Sequence, residues 1–170
     1  MTLLVPVDFS DCTHGLVERA ADMASRLGVT ITLLHAVDTP SGLVGARLPG
    51  GAASEQLSDE SSSQLRYYAA KARQTGVTVE GITRVGSPEE VILAAADELG
   101  AEMIMMGTHG RRGVNRLMLG SIAEFVLRRA EVPVITVRTQ HRPECEARSC
   151  AVCSTHVTRT EARLAVELEG

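Results

Sequence analysis

The chain has 170 residues, a length typical of one domain with a sizeable core. Its net charge of −4 argues against general nucleic-acid binding, which requires a basic face. Aromatic residues are few (two Tyr, two Phe and no Trp), so the core has to be built from aliphatic side chains. No apolar stretch approaches the length of a membrane span and residues 1–8 carry no basic segment, so we expect a cytoplasmic protein.

Apolar runs and helical periodicity alternate along most of the chain. The predicted strands are residues 3–7, 29–37, 77–85, 103–106 and 132–137. The predicted helices are residues 16–27, 55–74, 88–99 and one that opens at 120–121, while 39–54 is predicted to be a surface loop. This βαβαβαβαβ order requires an α/β fold with a parallel sheet, right-handed crossovers and helices on both faces.

Capping residues predict where the helices begin. Ser10 or Asp11 is the expected N-cap of the first helix. Ser87, Pro88 and Glu90 predict a capping box at the third, with proline in the first turn.

A glycine- and arginine-rich segment follows the fourth strand, with the spacing Gly107-x2-Gly110-x9-Gly120-Ser121. Free N–H groups at the start of the next helix, together with the helix dipole, predict an anion there, and we interpret the segment as a phosphate site. Three arginines add positive charge that also favours an anion: Arg111, Arg112 and Arg116. The alternative is a surface loop whose arginines are merely solvated.

Other phosphate-binding motifs do not fit this segment. A P-loop needs GxxxxGK[ST], but the single lysine of the chain, Lys71, lies far away in sequence. The glycines also lack the GxGxxG spacing of a dinucleotide-binding fold.

Instead, the segment resembles the G-x2-G-x9-G-[S/T] motif of the universal stress protein family, in its ATP-binding branch. The match includes Thr108-His109 and the Gly-Ser-Ile-Ala-Glu start of the following helix. The resemblance covers residues 1–138 and implies one domain, with residues 139–170 as a C-terminal extension. It also implies an adenine nucleotide alpha hydrolase-like fold, a five-stranded sheet of order 3-2-1-4-5.

With that order the sheet reverses between strands one and four, where open α/β sheets bind their ligands. Asp8 can accept hydrogen bonds from the two vicinal hydroxyls of a ribose, and the backbone of Ala36 can meet an adenine edge. The resemblance supports the same assignment at these positions. The complete expected nucleotide-binding set is Pro6, Val7, Asp8, Ala36, Met106, Gly107, Gly110, Arg111, Gly120, Ser121 and Ile122.

Several of these polar residues also have simpler interpretations. Asp8 could have no role beyond capping the first helix. His109 could donate to a γ-phosphate or act as a general acid, but a polar loop residue is the better interpretation. His35, inside an apolar run, is expected to be a hydrogen-bonded core histidine, and Cys12 is expected to serve packing.

No nucleophile–base pair, metalloprotease motif or paired-carboxylate spacing predicts a dedicated enzyme. We expect a nucleotide-sensing, stress-response module that binds ATP, or ADP or AMP, with Mg²⁺ and hydrolyses it at most slowly. A non-nucleotide dimeric scaffold of the same fold is the alternative. An ATP pyrophosphatase is disfavoured because the loop after strand one, Asp8-Phe9-Ser10-Asp11-Cys12, is acidic.

The fifth strand and the tail suggest two further interactions. Val134, Ile135 and Val137 make an apolar edge, and the family commonly pairs there, so we expect a homodimer through residues 133–138. We also expect an unknown protein partner.

In the tail, a C-x4-C-x2-C-x2-H spacing suits tetrahedral Zn²⁺: Cys145, Cys150, Cys153 and His156, with His141 as an alternate ligand. A redox pair at Cys150 and Cys153, or incidental thiols, are the alternatives.

Overall fold

The computed structural model describes residues 1–10, 12–38, 51–108 and 119–138. The strands are β1 (Thr2–Pro6), β2 (Thr30–Val37), β3 (Val79–Val85), β4 (Met103–Gly107) and β5 (Val134–Val137). The helices are α1 (Thr13–Leu27), α2 (Gly51–Arg73), α3 (Pro88–Glu98) and α4 (Ser121–Arg129).

The strands form one five-stranded sheet in the order β3-β2-β1-β4-β5. All four strand pairs are parallel, with β1 at the centre paired to β2 on one side and β4 on the other. The predicted fold class and strand order are therefore confirmed, including the edge positions of the third and fifth strands.

Side-chain alternation along the strands divides the core between the two faces of the sheet. Odd-numbered residues such as Leu3, Val5 and Leu33 pack against α1 and α2. Even-numbered residues such as Leu4 and Leu34 pack against α3 and α4. Within the described residues, no helix is both long and apolar enough to cross a membrane.

The first helix has a different N-cap from the one predicted. Its N-cap is Cys12, which makes no side-chain capping bond, so the predicted N-cap, Ser10 or Asp11, was wrong. Ser10 instead belongs to a turn in which its carbonyl accepts from the Thr13 N–H at 2.8 Å. Gly28 ends the helix in the left-handed conformation (φ 67°), as glycine permits.

Other boundaries also shift. The second helix begins at Gly51 rather than residue 55, so the predicted loop was wrong at its end; two alanines there favour helix. Ser87 is the N-cap of α3, but its side chain makes no capping bond, so the predicted capping box does not form. The Ser87 carbonyl accepts from the N–H groups of Glu90 and Val91 instead. β3 and β5 each begin two residues later than predicted, at Val79 and Val134.

Candidate functional site

The pairing between β1 and β4 stops before their carboxyl ends. They pair in register at only two positions, Leu3↔Met103 and Leu4↔Ile104, although both strands run further. Pro6 at the end of β1 has no N–H to donate, and the strand order reverses between these two strands. A parallel α/β sheet opens a crevice at such a point. We therefore take the space beyond these strand ends as the candidate site.

Asp8 organises the turn between β1 and α1. Its Oδ1 accepts hydrogen bonds from the Ser10 N–H at 3.1 Å, the Ser10 hydroxyl at 2.7 Å and the Thr13 hydroxyl at 3.3 Å. These bonds fix the direction of the carboxylate and give Asp8 a structural role close to the capping role considered above. A carboxylate offers about four acceptor positions, so this role is compatible with ligand binding.

Phe9 follows Asp8 in an unusual backbone conformation. Among the described residues it is the only non-glycine with a positive φ, at 57°. This left-handed conformation costs a bulky residue roughly 1–2 kcal/mol. The ring of Phe9 lies 4.2 Å from the ring of His35 and stacks on Tyr68 at 6.2 Å, centroid to centroid. Contacts from both β2 and α2 therefore hold the strained residue in place.

His35 is buried and hydrogen-bonded, as predicted. It is 8% exposed, and its Nδ1 lies 2.8 Å from the carbonyl oxygen of Val7. Because a carbonyl can only accept, Nδ1 carries the proton and donates. A side chain of β2 thus fixes the backbone of the residue before Asp8.

The backbone of Ala36 points into the crevice. Even-numbered residues of β2 face β1: Thr30 N–H donates to Met1, and the Leu34 carbonyl accepts from Val7. By the alternation of a parallel ladder, the N–H and C=O of Ala36 face the same side, beyond the last paired residue of β1. No backbone acceptor in the described residues meets the Ala36 N–H. Ala36 can therefore bind a ring that carries both a donor and an acceptor on one edge.

The N-terminus of α4 forms the other wall of the crevice. The N-cap Gly120 donates to the Thr108 carbonyl at 2.9 Å, which ties the helix start to the end of β4. A Cβ at Gly120 would lie 3.3 Å from that same carbonyl oxygen. Ser121, Ile122 and Ala123 contribute first-turn N–H groups for which the described part of the chain supplies no acceptor. These donors and the helix dipole favour an anion here.

A second concave region lies at the β3 edge of the sheet, away from the crevice. Its volume is about 340 Å³, and Arg66 and Arg73 of α2 line it above Gly81 of β3. Arg73 donates from Nε to the Val79 carbonyl at 3.1 Å, and Arg66 donates to the Ser63 hydroxyl. Arg73 thus ties the end of α2 to β3 and Arg66 is bonded within α2, so the switch-point crevice remains the better candidate.

Most of the expected site residues lie around the crevice. Residues 6–8 lie at and just after the end of β1, residues 106–107 end β4, Ala36 is the penultimate residue of β2, and residues 120–122 are the N-cap and first residues of α4. Gly110 and Arg111 lie outside the described residues, as do His109, Arg112 and Arg116. The tail ligands Cys145, Cys150, Cys153 and His156 also lie outside them. In the part of the chain that is described, no group of three or more His, Cys, Asp or Glu side chains could hold a metal ion.

Two features of the site have no clear signal in the sequence. The left-handed backbone of Phe9 could not be predicted, because positive φ is typical of glycine and asparagine. His35 could be placed in the core, but its bond to Val7 depends on which strands are neighbours. The only hint that the sequence offers is a histidine within an apolar run, predicted to be a strand next to the one that leads to Asp8.

Comparisons with known proteins agree on one family. The model of the universal stress protein family matches residues 1–138. A universal stress protein of Methanocaldococcus jannaschii is 30% identical over 138 residues, which cover 80% of this chain and 81% of that protein. The structure of the universal stress protein from Archaeoglobus fulgidus in complex with dAMP is 26% identical, with a TM-score of 0.63 over 81% of this chain and 98% of that one. A universal stress protein in complex with cAMP is also 26% identical, with a TM-score of 0.64 over 82% and 97%.

Proposed function

This chain belongs to the universal stress protein family, and from that premise we propose that it binds an adenine nucleotide, ATP in the first place, in the crevice between β1 and β4. The family supplies the fold and the general location. The specific proposal comes from the donors and acceptors that this chain places around the crevice.

The observation that carries the proposal is the set of first-turn N–H groups of α4. Ser121, Ile122 and Ala123 meet no acceptor among the described residues, and they stand next to the end of β4. Unsatisfied donors at a helix N-terminus favour phosphate, which supplies several charged acceptor oxygens at once. Gly120 lets the Thr108 carbonyl approach the helix start closely because it has no Cβ, and we expect the same absence to leave room for the phosphate.

The other wall suits the nucleoside. The Asp8 carboxylate would accept from the ribose hydroxyls, and the backbone of Ala36 would pair with the adenine edge. Two structural neighbours, complexes with dAMP and cAMP, support an adenine nucleotide as the ligand class. Gly110 and Arg111, outside the described residues, would complete the phosphate contacts on the strength of the motif, and Mg²⁺ would accompany a triphosphate.

We propose a sensing role rather than a dedicated enzyme. The β1 wall (Asp8 and the backbone of Ala36) and the β4 wall (the first turn of α4) provide acceptors and donors for binding, but Glu124, the acidic residue in that first turn, already accepts from Arg128 at 2.8 Å. Slow hydrolysis is compatible with the site. The useful output would be a nucleotide-dependent surface for a protein partner, since a ligand that binds one state better shifts the population towards it.

Thermal unfolding with and without nucleotide tests the proposal. A ligand at 100 times its Kd stabilises the folded state by about 2.7 kcal/mol, which raises Tm by roughly 5–10 °C for a chain of this size. We expect this shift with ATP and a smaller one with UTP, which lacks the adenine edge. Equal shifts would contradict adenine recognition, and no shift with ATP, ADP or AMP would favour the dimeric scaffold without a nucleotide. The nucleotide released by acid from purified protein would identify the bound species.

The homodimer through residues 133–138 remains a proposal. Val134, Ile135 and Val137 are half-buried against the two core clusters. The Pro133 carbonyl accepts from Ile104 of β4 and the Val137 carbonyl from Thr108 just after it, so the backbone of Thr136 faces the open edge. Thr136→Pro should therefore remove an outward N–H and yield a monomer mass in light scattering, while Thr136→Val stays dimeric. A monomeric parent at micromolar concentration would overturn the proposal.

Zinc binding by Cys145, Cys150, Cys153 and His156 is likewise proposed from their spacing alone. Elemental analysis of chelator-free protein should find one zinc per chain in the parent and less in Cys150→Ser. No zinc in either would contradict the metal site. A thiol count that falls under mild oxidation would then favour the redox pair.

A further inference from the structure

We propose that His35 is a positioning residue of the nucleotide site, which sets both the carboxylate of Asp8 and the backbone of Ala36. This inference rests on the proposed nucleotide binding and concerns how the site is shaped. His35 acts through its neighbours Val7 and Phe9, each of which it contacts directly.

The first effect is on Asp8. The His35 Nδ1–H donates to the carbonyl of Val7 at 2.8 Å, and its ring lies against the ring of Phe9 with centroids 4.2 Å apart. Val7 and Phe9 are the residues immediately before and after Asp8. One buried side chain therefore contacts both neighbours of the proposed ribose ligand, the backbone of Val7 and the ring of Phe9.

The strain at Phe9 makes this contact necessary. A phenylalanine at φ 57° relaxes towards a negative φ unless its surroundings hold it. His35 packs on the Phe9 ring, and Tyr68 of α2 stacks on it with an interplanar angle of 8°. Loss of the imidazole removes one of these two ring contacts, and rotation at Phe9 would turn the adjacent Asp8 carboxylate.

The second effect is on Ala36. In a continued parallel ladder, the Ala36 N–H would donate to the Val7 carbonyl, because even-numbered residues of β2 face β1. The His35 imidazole donates to that carbonyl instead, and the described residues contain no bond from Ala36 N–H to Val7. The imidazole thus ends the ladder one step early and leaves the Ala36 N–H for an acceptor nitrogen of adenine.

Two substitutions separate the ring from the donor. His35→Phe keeps an aromatic ring against Phe9 but has no N–H for Val7, whereas His35→Asn keeps a donor near the position of Nδ1 but loses the ring. Val79→Ala is the matched control: Val79 is 1% exposed in the core cluster against which Phe9 packs, but it lies at the opposite end of the sheet from the crevice. It should lower stability without touching the site.

The experiment measures ATP and 2′,3′-dideoxy-ATP affinities by calorimetry, because the analogue lacks both hydroxyls that Asp8 would accept from. We expect the parent to prefer ATP about tenfold, which is one charge-assisted interaction. His35→Phe should bind ATP about tenfold more weakly and lose that preference. His35→Asn should retain part of both, and Val79→Ala all of both.

Amide hydrogen exchange without nucleotide gives a second readout. In His35→Phe, exchange should become faster at Ser10, whose N–H donates to Asp8, and slower at Ala36, whose N–H gains the Val7 carbonyl. An ATP preference and exchange pattern in His35→Phe equal to those of Val79→Ala would overturn the inference while leaving nucleotide binding intact. A parent that binds no adenine nucleotide would overturn the proposed function itself.

Discussion

The two walls of the crevice are built in different ways. On the β1 wall, the side chains that shape the site are bonded or packed within the chain: Asp8 to Ser10 and Thr13, His35 to Val7, and Phe9 between His35 and Tyr68. On the β4 wall, the groups that face the crevice belong to the backbone at the start of α4, and the described residues leave the first-turn donors without acceptors.

This difference suggests that the β1 wall mainly orients the ligand, whereas the β4 wall supplies binding energy. The β1 wall has its internal hydrogen bonds before any ligand arrives, so it can set the orientation of a nucleoside at little further cost. The β4 wall is completed only by an anion, since open N–H groups gain most from charged acceptors. Substitutions should therefore act on the two walls in recognisably different ways.

The largest effect is expected at the β4 wall from Gly120→Val. A Cβ there would lie 3.3 Å from the Thr108 carbonyl oxygen, so this carbonyl or the helix start has to shift slightly, and we expect the branched side chain to reach into the phosphate position. We expect ATP affinity to fall by more than about 100-fold, measured by calorimetry. Gly81→Ala is the control, because its Cβ would make an ordinary 3.4 Å contact with Leu65 at the far edge of the sheet. Parent-like binding by Gly120→Val would show that the phosphate lies elsewhere.

A smaller effect is expected at the β1 wall from Asp8→Ala. Removing the carboxylate should weaken ATP binding by roughly 1.5–3 kcal/mol, or about 10- to 100-fold. It should also cost about 1 kcal/mol of stability, because Ser10 and Thr13 lose their shared acceptor.

Asp8→Asn separates these two roles. The amide oxygen can still accept from Ser10 and Thr13, so stability should stay close to that of the parent while part of the affinity is lost with the charge. Urea unfolding measures the stability of both variants, and calorimetry measures their affinity for ATP. If both variants bind ATP like the parent, Asp8 only shapes the turn.

The architecture could be predicted from the sequence because it depends on local patterns. Alternating apolar runs and helical faces determine a parallel sheet, and the glycine spacing around Gly107 and Gly120 locates the anion site at one strand end. Helix starts were less predictable, because several polar side chains compete for the same turn. Ser10 looked like an N-cap, but Asp8 and Thr13 draw it into the preceding turn, and the helix begins after Cys12.

The β1 wall could be predicted only in outline. Asp8 follows from its place at the end of the first strand, whereas the left-handed Phe9 depends on a ring pair that only the tertiary fold creates. His35 and Val7 are 28 residues apart, so their hydrogen bond requires the strand order and register to be known first. The β4 wall was easier to predict, because its donors are backbone groups. Their presence depends on where a helix begins and not on side-chain contacts.

The smallest effect, and the sharpest test of the contrast, is expected from Ser121→Pro beside Ser121→Ala. Gly120 has φ −61° and ψ 148°, the extended conformation that a residue before proline requires, and proline is well tolerated at the first helical position. Ser121→Pro should therefore keep α4 while deleting one N–H, and weaken ATP binding about tenfold, the value of one hydrogen bond to a charged group. Ser121→Ala keeps the N–H and should stay within about threefold of the parent. Helix content by circular dichroism confirms that α4 persists. An equal loss in both variants would mean that the hydroxyl, not the backbone, binds the phosphate, and the β4 wall would then work through side chains as the β1 wall does.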